Sequence, residues 1–390
     1  MDPGNKILFI CHESSRTGAP FSLLYLLRWI KNNASEKFII LIEKGGEIEG
    51  LFHELGPTFV VRPRRPTLFQ KIWLKIGYIS YMNSRLRKLY DEPVGLIYLN
   101  TFSNGRLVSI LKRRFKCRLI THVHELESVI RNSGSKNIQL LTRMTDHFIA
   151  ASRSVRDNLV LNHSIAGNRI TVHYEAIESF DERCKNYNGE PDVTDFVVGG
   201  AGFVDYRKGF DLFLETARIV AGEEAGRGIR FVWVGGFGRH KQKITEKFIE
   251  QHGLEEYVTF SGEMSDPFPV YRRSSLFYLS SREDPFPLVM LEHAYMGIPV
   301  IGFRGSGGVE EFLDYDPELL ADPADIRGVA RLILNFRNNN RLAERAGEKL
   351  RKKVMDQHLI DKVGKSYFSH ILQMGGMELG KGNETSQDNP

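Results

Sequence analysis

The sequence predicts an α/β protein made of two doubly wound parallel sheets, and three observations predict it. Short apolar runs alternate with longer amphipathic stretches, the pattern of buried parallel strands with helices on both faces. The alternation restarts after a polar interruption, SFDERCKNYNGEPDVT at 179–194. The chain has 390 residues, 42% hydrophobic and 26% charged, which suits two domains with real cores.

The first half opens on KILFICH (6–12), a buried strand, followed by a helix over SLLYLLRWIKNN (22–33). Further strands are read at KFIILIEK (37–44), VGLIYLNT (94–101), CRLITHVHE (117–125), DHFIAAS (146–152) and RITVHYEAI (169–177). The second half repeats the theme. DFVVGGAGFV (195–204) leads into the helix FDLFLETARIVAGE, and GIRFVWVGG (228–236) and YVTFSGEM (257–264) follow. SLFYLSS (275–281) and PVIGF close the series, and VGKSYFSHILQMGG (363–376) reads as a final helix. The expected division is 1–180, 181–375 and a disordered polar tail at 376–390, with the last helix packing back on the first domain.

Net charge is +5 and unevenly placed: residues 1–180 hold 26 Lys and Arg against 15 acids, the remainder 27 against 33. RPRRP (62–66), the aromatic- and lysine-bearing LFQKIWLKIGYISY after it, and LKRRFKCRL (111–119) make the first half basic. Such a face either is merely solvated or attracts anionic lipid, anionic glycan or nucleic acid. No run reaches the roughly 18–20 apolar residues of a membrane span, and no signal-peptide pattern opens the chain. Cys11, Cys117 and Cys184 have no metal-ligand spacing and no disulfide framework, which points to the cytoplasm.

The stretch SREDPFPLVMLEHAYMGIPVIGF (281–303) carries most of the chemistry. A strand ends, a loop holds Asp284, and a helix starts whose free N–H groups face any ligand. Glu292 lies eight residues on, inside the helix. Carboxylates that accept from hydroxyls beside a phosphate-binding helix start suit a nucleotide sugar. Pro287 has no N–H, leaving the amides of Leu288 and Val289. In GGAGFVDYRKGFD (199–211), Gly200 and Gly202 suggest a dinucleotide turn, but Asp205 stands where the third glycine belongs, so a nicotinamide enzyme is poorly supported. Arg207 and Lys208 beside Gly209 suit a diphosphate, or else form a solvated basic pair. In ESSRTGAP (13–20), Gly18 allows close backbone approach, and an ordinary strand–helix loop is the alternative. His122 and His124 point to one side of a strand. They are either a metal pair short of a third ligand, or a structural His122 beside a His124 that bonds a sugar hydroxyl. Asp314, Tyr315 and Asp316 read as a solvated turn.

These pieces, in their order and spacing, resemble glycosyltransferase family 4, the retaining GT-B enzymes, over nearly the whole chain to about residue 375. The resemblance rests on TGAP, THVHELE, RKGFD, FVWVGG, VTFSG and the 281–303 stretch. It implies a GT-B fold, two Rossmann-like domains facing a central cleft. It implies a hexosyltransferase-type enzyme that moves a sugar from a nucleotide-diphosphate donor to an acceptor hydroxyl with retention, in polysaccharide, cell-surface glycan or glycolipid synthesis. Catalytic roles fall on His124, Asp284, Arg207 and Lys208. Donor and nucleotide binding fall on Thr17, Gly18, Gly202, Gly235, Gly236, Gly262, Glu263, Phe286, Leu288, Val289 and Glu292. The family's first acid is usually Glu, here the shorter Asp284, and the Arg that often follows the second-domain glycine turn is here Phe203. No cofactor and no metal are expected. The expected partners are a nucleotide sugar and an acceptor glycan or lipid-linked saccharide, with no nucleic acid. The basic half adds the expectation of peripheral contact with the inner face of an anionic membrane. The alternatives are a non-catalytic GT-B-like glycan- or lipid-binding protein and a nucleotide-sugar epimerase.

Overall fold

The computed structural model describes residues 6–185, 195–314 and 316–377. The described chain divides into two compact units. One comprises 6–151, 155–173 and 360–377, the other the remainder. Residues 186–194 of the 179–194 interruption, Tyr315 and the tail from 378 lie outside the described residues, and the expectation of a disordered tail falls there.

The first unit is built on β1 (Lys6–Glu13), β2 (Phe38–Lys44), β3 (Thr58–Arg62), β4 (Val94–Leu99), β5 (Arg118–Val123), β6 (His147–Ala150) and β7 (Ile170–Val172). They form one sheet in the order β3-β2-β1-β4-β5-β6-β7, every pair parallel. Both faces are covered, which is why Ile7–Cys11 of β1 are all apolar. Leu8 and Ile10 enter one core cluster, and Ile7, Phe9 and Cys11 the other. The C-terminal helix Ile360–Gly375 adds Tyr367, Phe368, Ile371 and Leu372 to the second cluster.

Two details depart from the sequence reading. TFVVR is a strand, missed because it is an edge strand with only Val61 buried. The run at 169–177 joins this sheet only over Ile170–Val172, at the opposite edge.

The second unit has β8 (Phe196–Ala201), β9 (Ile229–Val234), β10 (Val258–Gly262), β11 (Leu276–Leu279), β12 (Val300–Phe303) and β13 (Leu320–Ala321). Its order is β10-β9-β8-β11-β12-β13, again all parallel. The two-residue β13 was too short to be read from the sequence. Aromatic packing anchors this sheet. Phe213 stacks on Tyr278 and meets Phe231 and Trp233 edge-on. Burying each such ring stabilises the unit by roughly 1.5–3 kcal/mol.

In both sheets the winding reverses beside the first strand, between β1 and β4 and between β8 and β11. Ligands of open parallel sheets bind beyond the carboxyl ends of strands at this switch point. The sequence-predicted residues sit at those ends, in the loops and the first turns of the helices that follow.

Candidate active site

In the second unit the switch point brings together the loops after β8 and β11. The loop after β8 turns at Asp205, whose Oδ1 accepts from the Lys208 N–H at 2.7 Å. Gly209 follows with φ +64, and a Cβ there would lie 1.8 Å from the Ser280 carbonyl oxygen. Only glycine permits both the backbone conformation and this approach. The loops are then stitched together. The Ser280 hydroxyl donates to Lys208 O at 3.0 Å, and the Arg282 N–H to Arg207 O at 2.8 Å.

Across this seam lies the central feature of the site. Lys208 Nζ donates to Asp284 Oδ2 at 2.6 Å, with the two side chains 15% and 5% exposed. The Ser281 hydroxyl donates to the same carboxylate oxygen at 3.1 Å. The Asp284 backbone is held by the next loop: its N–H donates to Ser306 O at 2.7 Å, and its carbonyl accepts from Gly308 N at 3.0 Å. Arg207 turns toward the same loop, donating to the Glu283 carbonyl at 3.1 Å.

Sequence reasoning missed the strut behind this pair. Arg282 holds Asp211 with two parallel bonds of 2.7 and 2.6 Å, donates to Tyr206 O at 2.9 Å, and lies 3.9 Å above the Tyr206 ring. Burial alone would raise the Asp211 carboxyl, but the bonds and charge of Arg282 hold it below its ordinary value. Arg282 and Asp211 both lay inside quoted motifs, yet 71 residues separate them, and no spacing rule links them.

The helix Leu288–Tyr295 starts just beyond Asp284, with Pro287 as its N-cap. The Leu288 and Val289 amides occupy its first turn, where N–H groups lack helical acceptors. Phe286 is 4% exposed and packs against Tyr174, Phe312 and His358, so its side chain seats the loop. Glu292 sits one turn along, partly buried, and desolvation raises its pKa to about 7 against the opposing charge of Arg183. Its neighbour His293 is structural. It is fully buried on Phe277, bonded to Val289 O, and lowered by burial to about 3.

The predicted glycines line the other side of β8. Gly235 N donates to Gly262 O at 2.8 Å, Val204 N to Gly236 O at 2.9 Å, and Trp233 Nε1 to Gly202 O at 3.0 Å. Gly235 has φ +146, and a Cβ there would fall 2.0 Å from Gly202 O, so these loops close only around glycine. Phe203 is exposed at the loop rim, and Glu263 is exposed past β10. A groove of about 510 Å³ runs along β10, lined by Phe237, Thr245, Phe260 and Gly262 among others, a size suited to a small molecule.

The first unit places His124, Thr17 and Gly18 around its own switch point. Asn100 is fully buried just after β4. Its Nδ2 donates to Ala19 O at 2.7 Å, which leaves its Oδ1 to accept from His124 Nε2 at 2.8 Å. The carboxamide therefore puts the His124 proton on Nε2 and ties His124 to the TGAP turn. Thr17 is the N-cap of the helix Gly18–Asn33, its hydroxyl 3.0 Å from that of Ser15. His122 is buried, its Nδ1 near the Tyr98 and Tyr367 hydroxyls at 2.7 and 2.9 Å. Burial, then the charges of His124 and His173, depress its pKa. Glu125 is occupied structurally, accepting from the Phe102 and His124 backbone N–H groups. Elsewhere, Asp314 pairs with Lys353 and Asp316 with Lys349, the solvated turn expected of that motif.

Two wound units with cations and carboxylates at the second unit's switch point define the GT-B class. Solved structures support the fold. The Anabaena protein Alr3699/HepE, in complex with UDP and glucose, superposes with a TM-score of 0.78 over 95% of this chain and 100% of its own, at 17% identity. The sucrose-phosphate synthase of Thermosynechococcus elongatus does so at 0.71 over 95% and 99%, also at 17% identity. Residues 195–339, within the second unit, match the family model for glycosyl transferases group 1. Among curated proteins, the lipopolysaccharide core biosynthesis glycosyltransferase LpsE of Rhizobium meliloti is 30% identical over 40% of this chain and 44% of its own. The mannosylfructose-phosphate synthase of Agrobacterium fabrum is 32% identical over 33% and 30%. The matched segment thus spans less than half the length of these relatives.

Proposed function

We propose that the protein is a retaining glycosyltransferase that moves a hexose from a nucleotide-diphosphate sugar to an acceptor hydroxyl in the synthesis of a surface glycan or lipid-linked saccharide. The observation that carries this reading is the Lys208–Asp284 pair, set beside the helix start at Leu288. Departure of a diphosphate from a sugar builds negative charge on phosphate oxygens and positive charge on the ring. Lys208 has three N–H donors and uses one on Asp284. The others can meet a phosphate oxygen, together with the Leu288 and Val289 amides and Arg207. Because Asp284 and the glycine turn already hold Lys208, this charge is in place before reaction and needs little reorganisation. The remaining Asp284 oxygen, one methylene shorter in reach than Glu, accepts from a donor-sugar hydroxyl.

Glu292 accepts from the ribose hydroxyls, and the groove along β10 receives the base. His124, its proton fixed by Asn100, bonds a sugar hydroxyl. Its other nitrogen role follows from that tautomer. Same-face attack assisted by the leaving phosphate accounts for retention without a carboxylate nucleophile. HepE has been solved with UDP-glucose, so UDP-hexoses are the first donors to test. Lys208, Arg207 and the helix start supply positive charge, so we expect turnover without a metal. We further propose peripheral contact of the basic first unit with an anionic membrane. Among the described residues no helix is long and apolar enough to cross one.

The test is a thermal-shift panel of nucleotide-diphosphate sugars, followed by transfer assays with and without EDTA. A ligand that binds only the native state raises the melting temperature. Stabilisation by a nucleotide sugar and product that keeps the donor's anomeric configuration are expected. A new sugar formed from donor alone would instead indicate an epimerase, and no response to any donor would indicate a binding protein. Activity lost in EDTA and restored by magnesium would remove the metal-independent part.

A further inference from the structure

We infer that the helix Leu68–Ile76 is the element that docks the first unit on an anionic lipid surface. This rests on the proposed peripheral contact and gives it a location. Ten large apolar side chains are exposed among the described residues, and four of them lie on these nine residues. Leu68, Phe69, Ile72 and Ile76 are 74%, 71%, 49% and 82% exposed. At about 100° per residue, they fall within an arc of roughly 100° on one helix face.

The helix is well made despite that exposure. Thr67 and Gln70 form a reciprocal capping box, with bonds of 3.3 and 2.9 Å, and Gly77 ends it. Trp73 anchors it to the core, meeting Tyr81 edge-on at 5.3 Å. The apolar stripe is therefore held outward by a fixed inner face. At about 13 Å the helix is far too short to span the roughly 30 Å of a bilayer core. A short amphipathic helix of this kind lies in the plane of the headgroups.

Charge identifies the occupant. Residues 55–90 contain eight Lys and Arg and no Asp or Glu. Arg64 and Arg65 stand exposed just ahead of the helix, and Lys71 is exposed on it. A second copy of the chain would set this cationic segment against itself, and like charges across an interface are unfavourable. Anionic headgroups complement it while the acyl boundary takes the four apolar side chains.

The experiment is co-sedimentation of the full chain with vesicles of phosphatidylcholine alone and with about a third phosphatidylglycerol. The protein is expected to bind the anionic vesicles, less at high salt. The double variant Phe69→Asp, Ile76→Asp should lower the partition coefficient on the order of a hundredfold, from two lost apolar insertions. Arg65→Gln with Lys71→Gln should lower it roughly tenfold at low salt. Both pairs are exposed, so melting temperature and nucleotide-induced stabilisation should be unchanged, and an altered nucleotide response would bear on the transferase reading alone. Wild-type protein that ignores anionic vesicles at low salt overturns the peripheral contact and this inference together. Binding retained by Phe69→Asp, Ile76→Asp keeps the contact but overturns the role of the helix. A wild-type dimer abolished by the same substitutions also overturns it, making a second copy the occupant.

Discussion

Lys208→Ala removes the cation that Asp284 faces, and its cost divides into two measurable parts. Asp284 is 4% exposed, and among the described contacts its Oδ2 would keep only the Ser281 hydroxyl. Removing one partner of a buried pair costs about 3–5 kcal/mol, because the other charge stays buried. Lys208 retains 15% exposure, so the lower end, about 3 kcal/mol, is appropriate. For a domain of the second unit's size that is roughly 6–12 °C in melting temperature. The second part is catalytic: loss of one preorganised charge at the developing diphosphate costs on the order of 10²–10³ in rate.

The double variant Lys208→Ala, Asp284→Asn separates the two. Without a stranded charge it should recover most of the lost stability and none of the rate. The assays are thermal melting and kcat for transfer at saturating donor, measured below the melting range of each variant. A single variant that melts within about 2 °C of wild type and turns over normally would refute the pairing and the role together. A double variant that regains activity would refute the role alone.

Three further outcomes are expected. The folded chain holds a proton on Glu292 between about pH 4.5 and 7 that the unfolded chain releases. The contribution of this group to stability therefore falls as pH rises through that window and is level above it. Because the ionised carboxylate accepts from hydroxyls through both oxygens and more strongly than the protonated form, affinity for whichever nucleotide diphosphate stabilises the protein should strengthen from about pH 6 to 8, with Glu292→Gln flattening the profile. A wild-type affinity independent of pH by calorimetry would contradict this. Asp211→Asn frees one side of the Arg282 strut. Since Asp211 is about half exposed, melting should change by less than about 1 kcal/mol-equivalent, while kcat falls roughly tenfold as Lys208 loses its fixed position. An unchanged kcat would make the strut merely structural. Asn100→Ala releases the His124 tautomer and should lower kcat roughly 10- to 100-fold, with nucleotide-diphosphate binding retained. Weakened nucleotide-diphosphate binding at normal kcat would reassign Asn100.

The helix Leu68–Ile76 shows where the sequence was readable only in part. Its alternating aromatics and lysines marked a surface-active segment, but which side chains face outward depends on Trp73 meeting Tyr81. Phe286 shows the converse. The resemblance assigned it to the donor, and the structure adds that its ring packs on His358 and Tyr174.

By itself the sequence determined the two wound units and the glycine turns, and it set Asp284 and Glu292 eight residues apart. Those features are local: strand and helix periods, positive-φ positions and an eight-residue spacing are complete within a short window. The tertiary structure decided which distant loops meet. Sheet order sets β11 against β8, so Asp284 finds Lys208 across 76 residues and Arg282 finds Asp211 across 71. In the first unit the same kind of adjacency sets β4 between β1 and β5, and Asn100 there joins Ala19 to His124. Backbone pairing between strands selects such neighbours, and no spacing along the chain records it.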